Sequence, residues 1–285
     1  MQNEKPNVAA LVERLPSSDR AGEESKFTGP HPDEAKRIIL EVLKGGLDSV
    51  RELLGLVRDS TDSAYRNFKA DYLLHCLAGY VSRSGNEELR RELARLIASR
   101  IGREEPSKRL RAYFIRELQA VGGQEVVRQL AEQLQDDDLC ATAVQALVAI
   151  GGEAAARLRL ALRESRGRNR MAIVQALGVL QDGESVPALI EAAGQRNRRV
   201  RMAAVWALAN IGDSRAVNAV MKAGDTENVW ERIQATKACL VLAEKLLAGG
   251  RKGEARKIYS HLRETRNNPA ERYVTEAAAK ALSEI

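Results

Sequence analysis

Aromatic residues are scarce in this chain: only 4% of its 285 residues are Phe, Trp or Tyr, although 44% are hydrophobic. Alanine and leucine supply most of the apolar side chains, and such residues let helices pack closely against one another. The chain also lacks an apolar run of the roughly 18 residues that a membrane-spanning helix needs. These absences favour a protein of closely packed helices and predict no membrane span.

Cysteine and histidine are too few and too scattered to indicate a metal site, with three of each in the chain. The cysteines lack zinc-type spacing, and the neighbours His75 and Cys76 would diverge by about 100° on a helix. No glycine-rich loop has the form that binds phosphates. We therefore predict no metal, no cofactor and no catalytic residue, and we expect the protein not to be an enzyme.

The odd number of cysteines also bears on the compartment. Cys76 and Cys239 fall at predicted core positions, where cysteine behaves as a small hydrophobic residue. Because they fall in different predicted repeats, we expect them to be too far apart in space to form a disulfide. Free buried thiols are typical of a reducing environment, so we expect a cytoplasmic protein. The alternative is an exported protein, if a leader was removed before residue 1.

One apolar pattern recurs along the chain, with residues at i, i+3, i+4 and i+7 on one helical face. The clearest copy consists of Ala204, Ala207, Leu208 and Ile211, and the third position of each other copy is Leu77, Leu118, Leu147, Leu177, Cys239 or Leu282. From Leu118 to Cys239 these central positions recur at a near-constant step of about 30 residues, which indicates a repeat array. Gly212 and Asp213 can end one helix and cap the next, so each repeat is predicted to be two short antiparallel helices.

The segment 199–217, RVRMAAVWALANIGDSRAV, resembles HEAT repeats, particularly the HEAT-like variety known from phycobilisome lyases. The matching features are Val200-Arg201, Ala203-Ala204, Ala207-Leu208, Ile211-Gly212-Asp213 and Ala216-Val217. The resemblance implies an all-α fold, a right-handed α-solenoid of stacked antiparallel helix pairs of the HEAT or armadillo type. The family includes scaffolds, transport factors, bilin lyases and DNA glycosylases, so it leaves the activity open.

The chain divides into two predicted parts. Residues 1–32 contain four prolines and no sustained hydrophobic period, which predicts a disordered N-terminal arm. Residues 33–285 are expected to form the HEAT-like solenoid. Within it, residues 243–268 contain the string LLAGGRKGEARKIYSHL, which resembles a single tetratricopeptide hairpin; a lengthened HEAT-like helix pair is the alternative.

A second row of residues lies two positions before the central position of each copy, and its members are His75, Arg116, Gln145, Gln175, Trp206, Lys237 and Lys280. Because six of the seven are polar, we expect this row to face solvent. The resemblance to HEAT repeats implies that it lines the concave side. Trp206 is the exception, and tryptophan is enriched at binding hot spots. The alternative is that its ring lies flat over a neighbouring repeat.

Arginines cluster in two equivalent inter-repeat turns, one repeat apart, at 163–170 and 196–201. The HEAT resemblance implies that Arg170 and Arg201, like Arg111 and Arg232, pair with acidic residues and join neighbouring repeats. The flanking arginines are left for a ligand or for solvent. The candidate partner-binding residues are therefore Trp206, Arg116, Gln145, Gln175, Lys237, Arg168, Arg198 and Arg199.

The first functional hypothesis is a non-enzymatic scaffold or adaptor that binds an acidic or amphipathic segment of another protein. The net charge of +6 permits an acidic partner. Nucleic-acid binding is the second hypothesis and rests on the basic turns and on the HEAT-like DNA glycosylases, although the polar row contains no Asp or Glu to serve as a catalytic acid. An accessory subunit or lyase-like enzyme partner is the third and rests on the resemblance alone. The sequence leaves the oligomeric state open.

Overall fold

The computed structural model describes residues 5–15, 32–59, 68–102 and 106–285. Within these ranges the chain forms sixteen α-helices and no β-strand, so the prediction of an all-α solenoid is confirmed. Over the same ranges no helix is both long and apolar enough to cross a membrane. The helices follow one another as short antiparallel pairs, as the spacing of the apolar pattern predicted.

Two compact units divide the chain, the first ending at Ile150 and the second running from Gly151 to Ile285. The helices of the first unit are α1 (Val8–Glu13), α2 (Pro32–Lys44), α3 (Gly46–Leu56), α4 (Phe68–Arg83), α5 (Glu87–Ile101), α6 (Lys108–Val121), α7 (Val127–Glu132) and α8 (Cys140–Ile150). Those of the second are α9 (Ala154–Glu164), α10 (Gly167–Val179), α11 (Val186–Ala193), α12 (Arg198–Ile211), α13 (Val217–Ala223), α14 (Val229–Ala248), α15 (Lys252–Thr265) and α16 (Arg272–Glu284). Short 3₁₀ turns precede α7, α11, α13 and α16.

Part of the N-terminal arm is helical, which corrects the prediction of disorder for residues 5–15. The Asn7 side chain caps α1 by accepting a hydrogen bond from the Ala10 N–H at 3.0 Å. The apolar face of α1 is buried, and Lys69 of α4 donates to the Glu13 carboxylate at 2.8 Å and to the Glu13 carbonyl at 3.2 Å. The remainder of the predicted arm up to residue 31 lies outside the described residues.

The repeat unit is clearest around α12. Asn197 caps its start by accepting from the Arg199 and Val200 N–H groups at 3.0 and 3.3 Å. Gly212 ends the helix in the left-handed region, with φ +77°, where a residue without a Cβ is at least cost. Asp213 then accepts from the Arg215 N–H at 2.8 Å and begins the turn into α13. The sequence placed this boundary correctly.

The recurring apolar positions form the core of both units. Each central position from Leu77 to Cys239 is buried, whereas Leu282 in the last helix is half-buried. Neighbouring helices cover these side chains, so no single pair could hold its apolar face away from water alone. Stability in each unit therefore depends on stacking between successive repeats.

The C-terminal segment contains a helical hairpin. Helix α14 runs for 20 residues without a break, so residues 243–248 are its last turns rather than the start of a new helix. Gly249 and Gly250 then turn the chain into α15, with Gly250 at φ +75°. Helix α15 packs against both α14 and α16. Both forms considered for 243–268 are helical hairpins, and α14 and α15 form such a hairpin.

Candidate partner-binding site

All seven residues of the polar row are exposed, and for all but Lys280 at least one adjacent residue on the same helix is buried. On α12, for example, Trp206 is exposed between the buried residues Val205 and Ala207. This alternation follows from the helical period: adjacent residues point in different directions around the helix axis, so one can pack in the core while the next faces solvent. The structure therefore places every member of the row where a partner could reach it.

Three members of the row meet in one groove of the second unit. Gln175 of α10, Trp206 of α12 and Lys237 of α14 line this groove, which has a volume of about 530 Å³. Its other lining residues are Met171, Arg199, Met202, Ala203, Val205, Ala209, Asn210, Trp230, Gln234, Ala238 and Val241. Apolar side chains form most of the surface, and none of the described residues that line it is acidic.

Trp206 combines packing with exposure. Its ring carbon Cζ3 lies 3.1 Å from the position that a Cβ on Gly178 would occupy, so the ring rests against α10 of the preceding repeat. Nevertheless 45% of the residue remains accessible to solvent. The ring thus packs in part against the preceding repeat, and the rest of it is open to solvent.

Trp230 is a groove residue that the sequence reasoning missed. It is the second residue of α14 and 51% exposed, and the guanidinium carbon of Arg198 lies 5.3 Å from the centre of its ring. That distance lies within the range of cation–π attraction. A signal was present in the sequence, because Trp230 and Lys237 stand one repeat after Arg199 and Trp206. Helices α12 and α14 therefore each present one tryptophan and one cation to the groove.

The remaining candidates do not line the groove. Arg168 is exposed in the first turn of α10. Arg116 and Gln145 belong to the first unit, where they are exposed on α6 and α8. Of the eight candidates, the structure thus brings Gln175, Trp206, Lys237 and Arg199 to one surface, with Arg198 over its second tryptophan.

The arginines expected to join repeats do so in part. Arg201 Nη2 donates to both carboxylate oxygens of Glu231 at 2.8 Å, and Arg232 donates from Nε and Nη2 to the two oxygens of Glu271 at 2.9 Å. Arg170 instead donates to the carbonyls of Leu162 and Ser165, both at 3.4 Å.

These bonds determine which cations remain for a ligand. For Arg111, the Nε atom is buried and has no hydrogen-bond partner among the described residues. Arg201 and Arg232 are committed to the fold, because each spans two successive repeats. The cations that remain at the groove are therefore Arg198, Arg199 and Lys237. The neutral amides of Gln175 and Gln234 also line it.

Titratable groups meet elsewhere, between α4 and α6. Glu117, the one polar residue in its copy of the apolar pattern, is buried, with its carboxylate 3.1 Å from His75 Nδ1. Burial raises the pKa of this carboxyl, while His75 opposes the effect. No cluster of three His, Cys, Asp or Glu residues suited to a metal occurs in the described part of the chain.

The acidic run at 136–138 has a structural role in the first unit. Asp136 accepts a hydrogen bond from the Asp138 N–H at 2.9 Å, just before α8 begins. Lys108 Nζ lies 3.1 Å from Asp136 and 2.9 Å from Asp138. N–H groups and the lysine lower the pKa of the Asp136 carboxyl. These carboxylates are thus engaged in capping and charge pairing.

The groove helices lie largely in a segment that matches a known family. The HEAT repeats family matches residues 156–240, which include all of α10, α12 and the groove-lining residues of α14 up to Lys237 and Ala238. Residues 156–240 are therefore similar to HEAT repeats. No curated protein matches the chain. Most of the groove lining thus falls within the matched segment.

Two solved structures resemble the chain. The complex of CpcE and CpcF of the phycocyanin lyase from Nostoc sp. PCC7120 has 16% identity and a TM-score of 0.36, with 92% of this chain and 95% of that chain covered. Human deoxyhypusine hydroxylase in complex with glycerol has 18% identity and a TM-score of 0.36, with 90% of this chain and 100% of that chain covered.

Proposed function

We propose that this chain is a non-enzymatic scaffold whose HEAT repeats bind another protein through the groove of the second unit. The observation that carries the proposal is the presence of two half-exposed tryptophans, Trp206 and Trp230, on one apolar surface with cations beside them. Tryptophan and arginine are the residues most enriched at binding hot spots. Contiguous exposed apolar surface of this kind is typical of interaction sites in otherwise polar surfaces.

The chemistry of the groove supports binding rather than catalysis. Its described lining contains no His, Cys, Ser, Thr, Tyr, Asp or Glu, the residue types that supply most general acids, bases and nucleophiles. What remains are apolar side chains, amides and cations, which recognise a surface and fix its orientation. The amides of Gln175 and Gln234 are suited to hydrogen bonds at the edge of an interface.

We also propose that the scaffold acts in a reducing compartment such as the cytoplasm. The three cysteines form no disulfide; Cys140 and Cys239 are buried and Cys76 is half-buried. Burial raises the pKa of the Cys239 thiol to about 12, so this side chain stays protonated and packs as a small apolar group. Such thiols need no oxidising environment to be compatible with the fold.

The proposal is tested by quantitative affinity capture from extract of the source cells, with and without nuclease treatment. The baits are the wild-type chain, Trp206→Ala and a matched control, Tyr273→Ala, which removes an aromatic residue 61% exposed on α16 and outside the groove. We expect at least one protein to be retained by wild type and by the control and lost with Trp206→Ala. Melting temperatures of the three baits establish that the loss does not reflect unfolding.

Two outcomes would contradict the proposal. If nuclease removes every specific partner, the chain binds nucleic acid, since aromatic rings and cations can also stack on bases. If no captured protein depends on Trp206, the groove is not the interface.

A further inference from the structure

We infer that the groove of the second unit receives an acidic amphipathic helix of the partner, with the apolar face of that helix on Trp206 and Trp230. This inference rests on the proposed function, because it specifies the partner segment that the same groove recognises. It depends on three features: the hydrogen-bonding capacity of the groove, its charge and the arrangement of its side chains.

Hydrogen bonding favours a helical partner segment. An extended peptide carries N–H and C=O groups that lose water on binding and need new partners. The groove offers three side-chain amides, those of Gln175, Asn210 and Gln234, and Asn210 Nδ2 already donates to the Trp206 carbonyl at 2.9 Å. The described helices around it satisfy their own backbones and present no strand edge. A helix brings its backbone bonds with it and can therefore lie on this largely apolar surface.

Charge determines the polar side of that helix. Arg199 and Lys237 line the groove, Arg198 lies over Trp230, and the described lining contains no carboxylate to offset them. A partner with lysines or arginines beside its apolar face would meet like charge, whereas glutamates or aspartates would meet complementary charge. The groove therefore selects an anionic helix and disfavours a cationic one.

The arrangement of the side chains suits spaced anchors. Helix α12 presents Arg199 and Trp206 seven residues apart, and α14 presents Trp230 and Lys237 seven residues apart, with cation and ring in opposite order. Equivalent positions of successive repeats lie at the same level along their helices. Lys237 is therefore level with Trp206, and Arg199 is level with Trp230. Met171 and Met202 add unbranched, adaptable side chains to the lining. Apolar residues of a partner at i, i+3 or i+4, and i+7, flanked by acids, match this pattern.

The first test uses peptides without a chosen sequence. Random peptides of about 16 residues, roughly four and a half helical turns, are displayed on phage and selected on the full chain, with counter-selection on Trp206→Ala. We expect the enriched peptides to be acidic, with apolar residues at helical spacing. Enrichment of basic peptides, of alternating or proline-interrupted patterns, or of none that depends on Trp206 would overturn the inference.

The second test measures affinity by intrinsic fluorescence. Trp206 and Trp230 are the only tryptophans in the chain, and both line the groove, so emission reports this surface alone. An enriched peptide without tryptophan should lose about tenfold or more in affinity when Trp206 is replaced by Ala, when Trp230 is replaced by Ala, or when its own acids become glutamine. Arg256→Ala, which removes an exposed cation of α15 outside the groove, should leave the affinity unchanged.

Two further comparisons separate this inference from the proposed function. If capture of the natural partner requires Trp206 but the acidic peptide does not compete, the inference fails and the proposed function stands. If neither the partner nor the peptide requires Trp206, both fail. Tighter binding of a single-stranded oligothymidylate than of the peptide, or a dimer of the chain abolished by Trp206→Ala, would make nucleic acid or a second copy the occupant.

Discussion

The indole ring of Trp206 rests against Gly178 in the preceding repeat, where a Cβ would lie 3.1 Å from ring carbon Cζ3. The same Cβ would come within 2.6 Å of the Cα of Ala207, so glycine is what allows α10 and α12 to approach this closely. One edge of the ring is thereby fixed while the rest stays open to solvent. An aromatic side chain held in this way loses little conformational freedom when it binds a partner.

We predict that Gly178→Ala destabilises the second unit by about 1–3 kcal/mol, because the added methyl meets backbone that cannot move aside locally. The direction of this change in the free energy of unfolding is informative, because replacing glycine by alanine inside a helix ordinarily stabilises the protein by about 0.5–1 kcal/mol. Urea unfolding measures the change, and the tryptophan emission of the folded protein should shift as Trp206 is displaced.

Gly55→Ala is the matched control. Gly55 also lies inside a helix, α3, but nothing comes within 4 Å of an added Cβ there. This variant should be as stable as the wild type or more so. A stabilising effect of Gly178→Ala would mean that the close approach of α10 and α12 is not maintained in solution.

A second prediction concerns the pairing of Arg201 with Glu231. The Glu231 side chain is 10% exposed and accepts two hydrogen bonds at 2.8 Å from Arg201 Nη2. Glu231→Gln keeps the shape but removes the charge and leaves the guanidinium poorly matched, so we expect a loss of about 1–3 kcal/mol in the free energy of unfolding. Glu276→Gln breaks an exposed pair with Arg272, where the side chains are 63% and 81% exposed, and should change stability little. Equal effects in both variants would point to net charge instead.

The buried carboxyl of Glu117 predicts a dependence of stability on pH. Burial raises the pKa of this carboxyl above the usual value of 4.5, and the charge of His75 opposes the shift. Between the unfolded and the raised folded pKa, the native state holds more protons than the unfolded state, so this group's contribution to stability falls as pH rises through that interval. Glu117→Gln mimics the protonated form at every pH. The variant should therefore gain stability relative to the wild type as pH rises from the unfolded pKa of this carboxyl through its raised folded pKa.

Urea unfolding of both proteins across this pH range provides the measurement. A carboxyl-carbon NMR titration of the wild type should locate the Glu117 transition above the usual range. His75→Gln should move that transition further upward, because the opposing charge is removed. A stability difference between Glu117→Gln and the wild type that stays constant with pH would contradict the raised pKa.

The fold could be predicted from the sequence because its determinants are local. The apolar period around Leu208, the glycine at Gly212 and the capping residue Asp213 lie within a few residues of one another, and each acts on its own segment. The exposed row followed from the same period. Helix α1 could not be predicted in this way, because six residues do not form a stable helix alone. Contacts from distant residues such as Lys69 hold it in place.

Only some of the groove residues could be predicted from the sequence, for a related reason. Trp206, Gln175 and Lys237 share one register, so a single helical rule finds them together. Trp230 lies seven residues earlier on α14 than Lys237, and it joins the groove because stacked repeats bring it beside α12 and beneath Arg198. The period of one helix carries no information about such neighbours. Comparing equivalent positions of successive repeats would have placed Trp230 opposite Arg199.

The last prediction distinguishes the contribution of Trp206 to binding from that of Lys237 by how each depends on salt concentration. Lys237 is exposed at the groove and Trp206 is partly packed, so their contributions to binding the natural partner should differ in kind. Lys237→Ala should slow association and lower affinity at low ionic strength, with little effect at high salt, because exposed charges are screened beyond about 10 Å at 0.1 M. Trp206→Ala should raise the dissociation rate at both salt concentrations, since burial of the ring depends little on screening.

Stopped-flow and equilibrium binding at low and high salt, with melting temperatures of each variant, provide the comparison. A hot-spot role requires Trp206→Ala to weaken binding by about 2 kcal/mol or more while the melting temperature falls little. If Trp206→Ala instead lowers the melting temperature and leaves the affinity untouched, the contact with Gly178 is the ring's whole contribution, and the partner binds elsewhere.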